Sequence, residues 1–291
     1  MVVIGSNGVL APGKWRWLRA LAWLAALTVA IVIAYNAVAK ATLWIFASGS
    51  PSTAMKLLAG IAGSVALVLF YWLAVRLGER RRVPELALRQ APVELLAGVA
   101  LGAALMAAIV GVLWLFGWVT IVPRPVDAIA LALRDSIRSG VLEEVVLRLV
   151  IFRLLWRAFG IWPALAGAAL LFGVLHLANP DSGWFAAACL IAGEGIAIGL
   201  YLITGRIWAS IGMHAGWNFA QGWFFGAVVS GTTEIAGGPF ALRPVPGIAE
   251  ALSGGGFGPE ASVAALLVSL AASAALLLRA WKLGRFIAAD A

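Results

Sequence analysis

The chain has 291 residues, 63% of them hydrophobic and 12% charged, with a net charge of +8. A soluble domain carries roughly 25% charged residues, and half that share cannot coat a water-facing surface of this size, so a soluble globular protein is excluded. The basic residues sit in short clusters between apolar stretches, as membrane-topology anchors do, and this excludes a nucleic-acid groove as partner site.

The first twenty residues lack the order basic, short apolar, small-residue cleavage site, so no removable signal peptide is expected. A spanning helix needs about 20 mostly apolar residues. Eight stretches qualify: 20–39, 55–77, 93–118, 139–158, 161–178, 184–204, 206–229 and 261–281. The fold class expected is therefore all-α, a polytopic protein with about eight transmembrane helices. Fourteen Trp residues agree, because Trp favours the bilayer interface.

Between the third and fourth spans, 126–138 mixes Asp127, Arg134, Asp135 and Arg138 with Ala, Ile and Leu, and reads as an amphipathic interfacial lead-in. The Gly- and Pro-rich stretch 230–260 reads as a loop. No internal repeat occurs. The expected organisation is three N-terminal spans over 1–124, a functional core over 125–229, and a loop with a final span over 230–291. Cys189, the single cysteine, rules out an internal disulfide and reads as a small hydrophobe in an apolar helix.

Basic clusters set an expected orientation in the cell membrane. Lys14, Arg16 and Arg19 precede the first span, Arg80, Arg81, Arg82 and Arg89 lie between the second and third, and Arg279, Lys282 and Arg285 follow the last. With eight spans all three fall on the cytoplasmic side. The 230–260 loop, with Glu234, Glu250 and Glu260, then falls outside. Asp181 and Asp290 lie in interfacial or terminal stretches.

An ionisable residue inside a spanning helix costs about 2.5–3.5 kcal/mol on insertion scales and marks function by default. The fourth span holds Glu143 and Glu144, which point about 100° apart, and Arg148, four residues after Glu144 and on its face. Glu144 and Arg148 are expected to pair, leaving Glu143 to face something else. The fifth span ends with Phe172 and, one turn on, His176. The seventh carries His214 and Asn218 on one face, with Gln221 a further turn along. These are the only two histidines in the chain. Antiparallel neighbours place Glu143 and His176 at one membrane face, with His214 roughly 12 Å deep.

Other intramembrane chemistries lack their residues. There is no His-Glu-x-x-His helix, no Gly-x-Gly-Asp, and the Ser139 of Arg138-Ser139-Gly140 lacks the frame of a serine nucleophile. What remains is a carboxylate–histidine site.

At these residues the sequence resembles the CAAX-protease and bacteriocin-processing (CPBP, or Abi) intramembrane endopeptidases, and is similar to CAAX prenyl proteases of type II. The family pattern is Glu-Glu-x-x-x-Arg, Phe-x-x-x-His and His-x-x-x-Asn on successive membrane helices. Here these are Glu143-Glu144 with Arg148, Phe172 with His176, and His214 with Asn218, in order and without substitution. The resemblance covers about 125–225.

The resemblance implies peptide-bond hydrolysis in a membrane-associated peptide or protein. Glu143 and His176 would activate water. His214 and Asn218 would stabilise the oxyanion, and Glu144 with Arg148 would hold the site. A zinc version is the alternative, with Glu143, His176 and His214 as three ligands, a fourth position for water and Glu144 as base. The metal-free scheme accounts equally well for Asn218. Two other classes stand beside the enzyme: a catalytically silent immunity or partner-binding protein, and an ion- or proton-coupled transporter, for which paired half-helices or a repeat are missing. Two features sit outside the pattern. The charge clusters put Glu143 and His176 toward the outer face, whereas prenyl-protein proteases meet cytosolic substrates. Glu194, between Gly193 and Gly195, matches no motif and reads either as a tie between helices or as a contributor to substrate binding or proton supply.

Overall fold

A computed structural model describes residues 2–46, 49–233, 235 and 237–288; Glu234 and Asp290 lie outside the described residues. The helices are α1 (Arg16–Phe46), α2 (Thr53–Ala74), α3 (Ala91–Leu115), α4 (Ile129–Glu144), α5 (Arg153–Phe159), α6 (Ile161–Leu175), α7 (Trp184–Thr204), α8 (Trp208–Asn218), the short α9 (Glu250–Ser253) and α10 (Val263–Lys282). Wider π-helical turns continue α2 over Val75–Glu79, join α4 to α5 over Val145–Phe152, and extend α8 over Phe219–Phe224.

Among the described residues six helices are long and apolar enough to cross a membrane: Arg16–Phe46, Thr53–Glu79, Pro84–Leu115, Ile161–Ala178, Trp184–Thr204 and Val263–Lys282. The protein is thus an all-α, multi-pass membrane protein. Two of the eight expected spans fall outside this set for physical reasons. The expected 139–158 span belongs to one continuous helix running from 129 to 159, which carries Glu143, Glu144, Arg148, Arg153 and Arg157. The other, 208–224, is too short. Lipid cannot solvate such charge, so these two helices turn their polar faces inward and pack against the apolar six. The expected lead-in 126–138 is the first half of the same long helix. Exposed Trp44, Trp114, Trp162, Trp184 and Trp281 all sit at helix ends, as an interfacial belt requires.

Helix α8 is held by glycines. Gly98 and Gly102 of α3 face Gly212 and Gly216 of α8, and a Cβ at any of the four would collide with the opposing backbone. This reciprocal small-xxx-small interlock lets two membrane helices meet backbone to backbone. On the other side, Gly140 of α4 lies against Ala215. Helix α8 is therefore clamped between α3 and α4, which fixes the depth and rotation of its His214 and Asn218.

The stretch 230–260 is more ordered than a loop. Strand β2 (Phe240–Pro244) pairs antiparallel with β1 (Val119–Pro123), in a register running from Val119↔Pro244 to Pro123↔Phe240. Helix α9 and a 3₁₀ turn at Pro259–Ala261 follow. The Gly and Pro content that signalled a loop marks instead the corners between these pieces.

A second polar cluster lies about 15 Å further along the long helix from Glu143. Arg153, fully buried, donates to Glu79 at 2.6 and 2.8 Å and to the Ile4 carbonyl at 2.8 Å. Arg81 bridges Glu79 at 2.7 Å and Glu85 at 2.6 Å, and Tyr71 donates to Glu85 at 2.7 Å. Arg157 donates to the Leu10 carbonyl. Arg81, expected as an interfacial anchor, is thus 9% exposed and structural. Together these groups fasten the segment before α1 onto the bundle.

Candidate active site

The six sequence-predicted site residues, Glu143, Glu144, Arg148, His176, His214 and Asn218, line one cavity of about 380 Å³. Helix α4 supplies Ser139, Glu143 and Glu144; spacing of four places Ser139 and Glu143 on one face. The π turn begins immediately after Glu144, and another begins immediately after Asn218. Inserted π turns widen a helix and recur at functional sites; here one carries Arg148 within the first motif and the other follows Asn218 directly.

The adjacent glutamates have separate environments. Glu144 is fully buried and holds two partners: its Oε1 lies 2.8 Å from His214 Nδ1, and its Oε2 lies 3.0 Å from Arg148 Nε. The second contact is close enough for an ion pair but is not aligned as a hydrogen bond. The Glu143 side chain keeps 34% of its surface exposed, and its Oε2 is 3.7 Å from His214 Nε2. His214 therefore stands between two carboxylates, anchored by one and facing the other.

His176 closes the 3₁₀ end of α6. Its Nδ1 lies 2.8 Å from the Phe172 carbonyl. A carbonyl only accepts, so Nδ1 carries the hydrogen, and in the neutral ring Nε2 is a free base. The Phe172 ring packs edge-on against the imidazole at 4.5 Å. The first residue of this motif thus holds the last twice, through backbone and ring.

Asn218 donates to Ser139 Oγ at 2.9 Å, and Ser139 Oγ donates to the Asp135 carbonyl at 2.9 Å. With its one hydrogen committed, the hydroxyl can only accept from Asn218. That fixes which end of the amide is NH₂ and leaves its second N–H for the cavity. Ser139→Ala should therefore lower kcat roughly tenfold with KM little changed, the worth of one hydrogen bond. Ser139→Thr should recover most of the loss. An alanine variant with unaltered kcat would show that Asn218 needs no such support.

Glu194 makes the link that no motif foretold. Its Oε2 lies 2.8 Å from Arg148 Nη2, so a buried chain runs Glu194–Arg148–Glu144–His214 across α7, the π turn, α4 and α8. This is the tie between helices, and it lies in the cavity wall. Glu260, expected only as part of the 230–260 loop, also enters the site. It is 5% exposed, accepts from the Ser230 amide and hydroxyl at 2.6 and 2.8 Å, and receives Trp217 Nε1 at 3.3 Å. Gln221 donates to the Val228 carbonyl at 2.7 Å and so anchors the same cover. Ser139 could have been found from its position one turn before Glu143; nothing in the local sequence points to Glu260.

Among the described residues no three His, Cys, Asp or Glu side chains converge as a metal-ligand set. His214 gives Nδ1 to Glu144, which leaves Nε2, facing Glu143 at 3.7 Å, as its open ring nitrogen.

Residues 125–220 match the family model described as type II CAAX prenyl endopeptidase, Rce1-like. Neither the curated proteins nor the solved structures contain a match.

Proposed function

We propose that this cavity hydrolyses a peptide bond in a membrane-associated peptide or protein by carboxylate–histidine activation of water, a reading supported by the match of residues 125–220 to the Rce1-like model of type II CAAX prenyl endopeptidases. The observation that carries the proposal is convergence: Glu143, His176, His214 and Asn218, from three separate stretches of helix, line one cavity.

Water enters beside Glu143 and His176. One of these bases takes its proton as the oxygen attacks the scissile carbonyl, so that a C–O bond forms and the carbonyl oxygen becomes anionic. His214 and Asn218 face that oxygen. With Nδ1–H given to Glu144, a doubly protonated His214 presents Nε2–H, and Asn218 presents its second amide hydrogen. Two fixed donors in a water-poor site stabilise developing charge far better than they would in bulk water. The proton held by the base then passes to the leaving nitrogen as the C–N bond breaks. Glu144, Arg148 and Glu194 take no proton in this cycle; they hold His214 still.

Plasma mass spectrometry on the detergent-purified protein tests the metal-free part of the scheme. The expected result is sub-stoichiometric zinc in folded protein that still cleaves. About one zinc per chain, lost in both Glu143→Ala and His176→Ala, would overturn it and assign those two residues as ligands.

A further inference from the structure

A second cavity, of about 310 Å³, lies between α1, α2 and α4, and shares Asp135 and Arg138 with the catalytic one. Its polar lining is Lys56, Arg134, Arg138, Asp135 and Tyr35, and its apolar lining is Ala39, Leu43, Ala59 and Gly60. Three cations thus meet one carboxylate. Asp135 is already bound to Arg134, at 2.6 and 2.8 Å. Among the described residues no carboxylate lies within ion-pair distance of Lys56 or Arg138. Among the described residues, Lys56 and Arg138 thus bring positive charge to the cavity without a carboxylate partner.

Its depth matters as much as its charge. Lys56 lies in the first turn of α2, and Arg134 and Arg138 in the first ten residues of α4. Helices α1 and α2 are joined by a short connection on the same side. The cations therefore sit at an interfacial level, with apolar helix surface running from them toward the bilayer centre. Close packing shapes the floor, because a Cβ on Gly60 would press on Arg134 Cγ at 2.8 Å.

We propose that this cavity binds one anionic phospholipid, its phosphate between Lys56 and Arg138 and its acyl chain along Ala39, Leu43 and Ala59. Charge complementarity selects the occupant: each basic residue near a membrane surface favours an anionic lipid by several-fold, and a zwitterionic headgroup brings no net charge to answer two unpaired cations. Arg138 borders both cavities, so the bound headgroup forms part of the wall beside the catalytic entrance. The binding site stands independently of the hydrolytic mechanism.

Native mass spectrometry of the full chain, released from nanodiscs holding equal phosphatidylglycerol and phosphatidylcholine, tests it. Wild type should retain one phosphatidylglycerol, and an excess of inorganic phosphate should not displace it. Lys56→Gln and Arg138→Gln should each weaken retention about fivefold, and Lys56→Arg should restore it. Lys40→Gln, a cation on α1 outside the cavity, should leave it unchanged. Equal retention of the two lipids, or retention untouched by Lys56→Gln and Arg138→Gln, would overturn the proposal. Displacement by inorganic phosphate would replace the lipid with a free anion. Displacement by a farnesylated peptide, with its retention lost in Lys56→Gln, would make the occupant the anchor of a substrate.

Discussion

Glu143→Gln should slow peptide cleavage about 10³-fold, the worth of a positioned general base, while the protein purifies and unfolds as before. The structure separates the two effects. Glu143 is the part-exposed member of its pair and lies 3.7 Å from His214, which keeps Glu144 as its buried counter-ion, so removing the Glu143 charge strands no buried cation. Glu144 is the reverse case. It is fully buried between His214 and Arg148, and Glu144→Gln should reduce both activity and yield, because Arg148 then relies on Glu194 alone. The measurement is kcat on a lipidated peptide beside thermal unfolding for both variants. A Glu143→Gln enzyme with near-normal kcat would leave His176 as the sole base; equal loss of stability in the two variants would show that Glu143 is structural.

Arg153→Met should cost the most stability of any single change outside the cavity. Breaking a buried pair from one side strands the remaining charge, at about 3–5 kcal/mol. Arg81 still reaches Glu79 at 2.7 Å, so the low end, about 3 kcal/mol, applies. The midpoint of thermal unfolding should fall by about 6–12 °C. The double change Glu79→Gln with Arg153→Met should lose less than Arg153→Met alone, because Arg81 is then balanced by Glu85 instead of being shared by two buried carboxylates. A double variant worse than the single one would mean that Glu79 holds the cluster through Arg81 at 2.7 Å and Trp23 Nε1 at 3.0 Å, independently of Arg153.

The apolar helices were legible because lipid imposes a plain rule: about 20 apolar residues, with Trp at the ends. The rule fails where polar side chains are needed. The 139–158 and 206–229 stretches resemble spans in length, yet one is part of a longer charged helix and the other is short, and both owe their place to packing. Among site residues, Glu143, Glu144, Arg148, His176, His214 and Asn218 stood out because charge and imidazole are costly in hydrocarbon and therefore few. Ser139 did not, because a serine in a helix is cheap and its role exists only once α8 lies across α4. Glu260 was hidden for another reason. It arrives from 42 residues beyond Asn218 in the sequence, and only the pairing of β2 with β1 and the anchoring of Ser230 bring it over the cavity. The π turns left no trace in hydropathy, since one extra residue per turn does not change composition.

The same contrast explains Arg81, Arg153 and Arg157. Counting basic residues near span ends treats each as an anchor in headgroup water. A guanidinium with two or more fixed oxygen partners can instead be buried, and the segment before α1 supplies two of those oxygens from its backbone, at Ile4 and Leu10.

The central claim is hydrolysis of a peptide bond by water held in this cavity, and product analysis in ¹⁸O-labelled water tests it most directly. Wild-type protein in liposomes is given a farnesylated peptide, and both fragments are weighed by mass spectrometry. One internal cleavage is expected, with a single ¹⁸O in the new carboxylate and no detectable product from Glu143→Gln. An intact peptide that nevertheless binds tightly and depends on His214 and Asn218 for binding would contradict it, and would make the cavity a receptor instead of an enzyme.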